Sequence, residues 1–288
     1  MTGPGFAASD LPVFGIYEKA LKPQPLRDMF RDAAKAGYQS LELSIDCTDE
    51  RLSRLDWSWR EACRVRQEAA EEGMQILTMC LSGHKRFPLG SPDPETVRAG
   101  MEVMEKAIRL SLELGIRVIQ LSGFDVTDDR ERTAETRMRY IDSLHDAVRM
   151  AERYCVTLAI EPVEGNLLAV SDTMEVVRMI DSLFLQIYPD VANIKSLGID
   201  PLPELPYGRG HIAAVHMRDS LPGIYDATIP FGTGQLDFDG VFRTLRGMRY
   251  CGPLVVEMWN EDRPDYMEYI TQARTYMEEH IRKVNGDV

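Results

Sequence analysis

The chain has 288 residues, enough for one large domain or two small ones, and its 44% apolar and 27% charged content is that of an ordinary globular protein. A formal charge of −13 argues against non-specific nucleic-acid binding, which needs basic surface, and no apolar run approaches the ~20 residues of a membrane span. The opening MTGPGFAASDLP lacks the basic and apolar regions of a signal peptide, and five scattered cysteines without a CxxC suit reduced thiols, mostly small core residues, in a cytoplasmic protein.

Short β-like runs alternate with helical stretches along the whole length. VFGIY (13–17) precedes a helix from about Pro25 to Ala36, closed by Gly37. SLELSID (40–46) precedes a helix from about Ser58 to Glu72, closed by Gly73. QILTMCLSG (75–83) leads to a long helix over about Pro94 to Leu114, closed by Gly115. RVIQLSGFD (117–125) precedes a helix over about Glu131 to Tyr154. VTLAIEP (156–162) is followed by a helix opened by Ser171-Asp172, a favourable N-cap pair. FLQIYPD (184–190) leads into a shorter, Pro-rich connection, and IAAVHMRD (212–219) into a helix near Phe238–Met248. GPLVVEMW (252–259) precedes the last helix, about Pro264 to Val284.

These are eight strand–helix units of roughly 36 residues, close to the norm for a single (β/α)8 TIM barrel of the α/β class. An open doubly wound sheet competes, but eight units fit without remainder and no GxGxxG follows the first strand. Without a linker or low-complexity segment, one catalytic barrel domain over 11–288 is expected, preceded by a flexible terminus over 1–10.

In such a barrel the chemistry is built at the C-terminal ends of the strands. The fifth to eighth strands each end on a metal-ligand residue type: Glu161 after LAI, Asp190 after IYP, His216 after AAV and Glu257 after LVV. Taken singly, an acid at a strand end is ordinarily a loop residue or cap, and a lone strand histidine a satisfied core residue. Four in succession argue against coincidence. Two glutamates, an aspartate and a histidine suit one divalent ion such as Mn²⁺, Co²⁺, Zn²⁺ or Mg²⁺, which would offset the cost of enclosing Glu161 and Glu257.

Two loops point to the same face. GIYEKALKP (15–23) carries Tyr17, Lys19 and Lys22; CLSGHKRFPLGS (80–91) carries Ser82, His84, Lys85 and Arg86. Each mixes cations with backbone N–H groups that suit an anion, although for Lys22 and Lys85 a solvated basic loop is the simpler reading. Arg218 lies two residues after His216, so it shares that residue's strand face, and an inward arginine needs a carboxylate or substrate oxygen. Walker A, HExxH and GxSxG motifs are absent.

GIYEKAL, CTDERLSRLDWS (47–58), MCLSGHKRFPLGS, GIRVIQLSGFDV, YPDVAN, GHIAAVHMRD, PFGTG with DF, and CGPLVVEMW together resemble the L-ribulose-5-phosphate/L-xylulose-5-phosphate 3-epimerase family of the xylose-isomerase-like barrels. The resemblance runs from about Leu11 to about Val284. It implies a single divalent metal on Glu161, Asp190, His216 and Glu257, with Glu161 and Glu257 as the acid/base pair. It implies a phosphorylated ketopentose as substrate. The stretch PVEGN after Glu161 departs from the family's pattern, but an acid, Glu164, keeps the third position and joins the substrate-side candidates Tyr17, Lys19, Ser82, His84, Arg86 and Arg218.

The expected reaction inverts C3 of a ketose phosphate. One glutamate removes the proton and the other returns it to the opposite face of an enediolate, interconverting L-ribulose 5-phosphate and L-xylulose 5-phosphate. A free-ketose 3-epimerase, a hexulose-6-phosphate isomerase or a hydroxypyruvate-type isomerase would use the same ligands, as would a metal-dependent dehydratase. An abasic-site endonuclease would need more histidines than five and a basic groove, and a catalytically idle binding protein would not need intact ligands. A symmetric homodimer is compatible with a soluble enzyme of this kind.

Overall fold

The computed structural model of the protein describes residues 11–127, 131–163, 165, 167–221 and 223–286. Residues 1–10, and with them the expected flexible terminus, lie outside that description, as does Glu164.

The chain runs β1 (Phe14–Tyr17), α1 (Leu26–Lys35), β2 (Ser40–Ser44), α2 (Asp49–Leu52), α3 (Trp59–Glu71), β3 (Gln75–Leu81), α4 (Pro94–Leu114), β4 (Val118–Ser122), α5 (Ala134–Tyr154), β5 (Thr157–Glu161), α6 (Val170–Ile180), β6 (Leu185–Ile187), α7 (Val191–Ser196), α8 (Pro201–Glu204), β7 (Val215–Met217), α9 (Phe238–Gly247), β8 (Leu254–Val256) and α10 (Tyr266–Asn285). All eight strands are parallel, in the order β6-β5-β4-β3-β2-β1-β8-β7. The sheet curls until its ends meet. There the joint is made by isolated bridges, Ile187 with Ile212 and Asp190 with His216, and by Ala213 N–H donating to the Ile187 carbonyl at 2.9 Å. The expected (β/α)8 barrel is the fold.

Local sequence explains the helix ends. Ser58 and Glu61 form a capping box at α3, and Asp93 caps α4 with Pro94 in the first turn. Gly115 closes α4 in the left-handed region at φ 80°. Cys155 and Asp181 do the same for α5 and α6 without glycine. The expected cap of α6 is corrected: Ala169 is the N-cap, and Asp172, three residues in, reaches back to accept from the Ala169 N–H at 3.2 Å. Ser171 is instead held by Glu204, which accepts from both its N–H and its hydroxyl. The Pro-rich connection after β6 also folds into two short helices, α7 and α8.

Apolar residues fill the layer between strands and helices, for example Leu41, Leu43, Met79, Leu158 and Met277. A smaller apolar cluster of Ala159, Tyr188, Ala214 and Val255 plugs the barrel itself. The interior is tight: a Cβ on Gly15 would lie 2.9 Å from Val255 Cγ2. The thiols depart from expectation. Only Cys80 is buried; Cys47, Cys155 and Cys251 are exposed because they sit at turns and a helix end rather than on inward faces. Among the described residues no helix is long and apolar enough to cross a membrane.

Candidate active site

Glu161 is the last residue of β5, His216 the middle of β7, and Glu257 follows β8 directly. Asp190 lies beyond β6 and is the N-cap of α7, its Oδ1 accepting from Ala192 N–H at 2.7 Å and Asn193 N–H at 3.1 Å. Four strand ends thus bring four buried side chains together, and one ligand atom from each lies within 4.8 Å of the others.

The contacts within the group are close. His216 Nδ1 lies 3.1 Å from Glu161 Oε1 and 3.3 Å from Glu257 Oε2. Arg218, 1% exposed, donates from Nε to Asp190 Oδ2 at 2.7 Å and from Nη2 to the Asn193 amide oxygen. Glu161 is held on both oxygens, by Gln120 Nε2 at 2.5 Å and Asn193 Nδ2 at 3.1 Å. Glu257 Oε2, by contrast, is buried without a hydrogen-bond partner.

Burial, then the nearby charges of Asp190 and Glu161, push the Glu257 carboxyl up to about 8, with His216 opposing. Burial raises Glu161 as well. Burial alone would raise Asp190 too, but the Arg218 guanidinium overrides it and holds that carboxyl low. Three acids gathered with an imidazole, one oxygen unpartnered, form a donor set that fits a hard or borderline divalent ion.

One buried acid here was not singled out from the sequence. Glu42, in the middle of β2 and fully buried, lies with Oε1 2.6 Å from His216 Nε2 and accepts from the Tyr188 hydroxyl at 2.7 Å. Its signal is a lone charge between Leu41 and Leu43 in SLELS. Gln120 and Asn193 carried no signal beyond their polar type.

The substrate-side candidates divide. Tyr17 is buried, its hydroxyl 3.0 Å from Ser44 Oγ and its ring centroid 6.3 Å from that of His216. Lys19 is half-buried at the rim, paired with Asp46 at 2.8 Å and 5.9 Å from the Trp259 ring. Trp259 meets Tyr225 edge-on at 6.0 Å, and Tyr225 lies 4.8 Å from the Arg218 guanidinium, so a line of contacts joins Lys19 to the cluster. Ser82 is half-buried, and Arg86 is exposed and paired with Asp49. His84 turns inward: it is 5% exposed, with Nε2 3.2 Å from the Gly100 carbonyl of α4. Burial, opposed only by that carbonyl, pushes its ring down to about 4. A neutral, enclosed ring brings no charge to an anion.

The profile of the xylose isomerase-like TIM barrel family matches residues 30–282. The L-ribulose-5-phosphate 3-epimerase UlaE of Escherichia coli strain SE11 is 41% identical over 271 residues, covering 93% of this chain and 95% of that protein. The protein of the same name from Shigella sonnei strain Ss046 matches at the same identity and coverage. Among solved structures, an L-ribulose 3-epimerase superposes with a TM-score of 0.78 at 17% identity, covering 96% of this chain and 97% of that one. A D-tagatose 3-epimerase-like protein gives a TM-score of 0.79 at 17% identity, over 95% and 98% of the two chains. At these identities the two structures speak for the shared fold.

Proposed function

The chain belongs to the xylose isomerase-like TIM barrel family and to its epimerases, and we propose that it interconverts L-ribulose 5-phosphate and L-xylulose 5-phosphate by inversion at C3. The observation that carries this reading is the buried group of Glu161, Asp190, His216 and Glu257, on a chain 41% identical to L-ribulose-5-phosphate 3-epimerases.

In this reading the four residues hold one divalent ion, Mn²⁺, Co²⁺, Zn²⁺ or Mg²⁺. When bound, the ion supplies Lewis-acid stabilisation for negative charge developing on the substrate's C2 oxygen. Glu161 ends β5 and Glu257 follows β8; in this proposal the ketose lies with one face of C3 toward each carboxyl. One carboxylate takes the C3 proton, and the other carboxyl returns a proton to the far face of the enediolate. In the reverse direction the roles exchange. Gln120 and Asn193 fix the Glu161 oxygens, which keeps its reach to C3 constant. Arg218 brings a guanidinium into the same enclosed space, with Nη1 unpartnered and available to a substrate oxygen.

For the phosphate we propose Lys19 and Arg86 with the N–H groups of their loops, and Tyr17 and Ser82 along the way; Glu164, outside the described residues, is proposed for the substrate side from its place in the sequence. We leave His84 out of this set, because its ring is buried and turned toward α4, with Nε2 on the Gly100 carbonyl.

The test is to incubate the manganese-loaded protein with L-ribulose 5-phosphate in D₂O and follow it by NMR. L-xylulose 5-phosphate carrying deuterium at C3 is expected. Deuterium at C1 with an aldose product would replace the epimerase reading by an isomerase on the same site. A product with a new conjugated absorbance would replace it by a dehydratase.

A further inference from the structure

We infer that Glu42 is a positioning residue for His216, fixing which ring nitrogen faces the acidic group; this rests on the metal reading proposed above. On β2, Leu41 and Leu43 pack into the layer under the helices, while Glu42 turns to the barrel interior. It is 0% exposed, and a carboxylate is costly to enclose without work for each oxygen. Both oxygens have it. Oε1 meets His216 Nε2 at 2.6 Å, and Oε2 accepts from the Tyr188 hydroxyl at 2.7 Å.

An ionised carboxylate only accepts, so the hydrogen of that short contact sits on Nε2. The lone pair of a neutral ring is then on Nδ1, the atom 3.1 Å from Glu161 Oε1 and 3.3 Å from Glu257 Oε2. The ring is also held sideways by Tyr188, whose centroid is 4.5 Å away. Tyr188 therefore grips the same histidine twice, by its face and through Glu42. Three strands share the device: β2 gives the carboxylate, the end of β6 the tyrosine and β7 the imidazole. A carboxylate behind a metal-bound histidine fixes its orientation and strengthens it as a donor, and losing such a partner costs roughly 10- to 100-fold in metal affinity.

The experiment measures Mn²⁺ affinity of the metal-stripped full chain by calorimetry for wild type, Glu42→Gln, Glu42→Leu and Tyr188→Phe. Melting temperatures identify variants that are still folded, and ¹⁵N shifts of His216 report the tautomer in the zinc-loaded protein. Glu42→Gln keeps one acceptor for Nε2–H and should lose about 10-fold. Glu42→Leu should lose more and mix the two tautomers. Tyr188→Phe spares the contact to His216 and should lose only a few-fold. A folded Glu42→Gln that binds Mn²⁺ within twofold of wild type, or a wild-type His216 protonated on Nδ1 when loaded, would overturn the role of Glu42 alone. A wild-type protein that takes up no Mn²⁺ would overturn the metal reading and this inference with it.

Discussion

Replacing His84 by glutamine separates two accounts of the loop after β3. The ring is 5% exposed and held by the Gly100 carbonyl at 3.2 Å, and its pKa is pushed down to about 4. In the unfolded chain the same histidine titrates near ~6.5. Below that value the unfolded chain binds a proton that the folded one refuses. The contribution is therefore complete above pH ~6.5 and is lost as pH falls through the window down to about 4. The span from ~6.5 to about 4, at ~1.4 kcal/mol per tenfold, gives roughly 3.5 kcal/mol of acid-dependent stability in full, of which about 3 kcal/mol is lost by pH 4.0, where the folded ring is half protonated. Urea unfolding of wild type and His84→Gln at pH 7.5 and 4.0 should show the variant losing about 3 kcal/mol less over that interval. Its KM for the sugar phosphate should stay within about twofold. An unchanged acid limb, together with a KM raised tenfold for the phosphorylated substrate only, would refute the argument and return His84 to the phosphate.

Asp190→Asn isolates the charge of that side chain, because asparagine caps a helix about as well as aspartate. It leaves Arg218 buried without its 2.7 Å partner, with Glu257 Oε2 at 3.7 Å the nearest remaining carboxylate, so metal-free stability should fall by about 3 kcal/mol in urea titration. A loss under 0.5 kcal/mol would mean that Glu257 takes over the pairing. Metal uptake should release at least one proton near neutral pH, since Glu257, raised to about 8, must ionise to bind. Apparent Mn²⁺ affinity should then rise with pH across 6 to 8, because His216, which burial alone would discharge but Glu42 and Glu257 keep protonated, must also lose a proton to ligate, and an affinity unchanged over that range would contradict it.

Much of this molecule is legible in its sequence, for identifiable reasons. The barrel is readable because buried parallel strands are short apolar runs and helices α1, α3 and α4 end at a glycine in the left-handed region, Gly37, Gly73 and Gly115. The four clustered residues are readable because a charge that ends an apolar run stands out. Glu42 escaped because Ser40 and Ser44 flank it in an alternating pattern, which looks like the wet face of a strand. Only closure of the sheet turns that face into a barrel interior. The inward turn of His84 is hidden for the complementary reason: the direction a loop histidine takes is set by α4, whose Gly100 carbonyl lies sixteen residues further on. The α6 cap shifted because Glu204, from a distant helix, claimed Ser171. Such choices are made by tertiary contacts that no local window contains.

The joint where the sheet closes has a bearing on how the site is kept together. Elsewhere neighbouring strands share ladders of three to five residue pairs, five between β4 and β5. Between β6 and β7 there are two isolated bridges, and one of them joins Asp190 to His216. Two residues of the acidic group therefore face each other across the weakest stitch of the hoop. A cation gripped by both would work as a rivet there, so that breathing of the hoop and escape of the ion would become one motion.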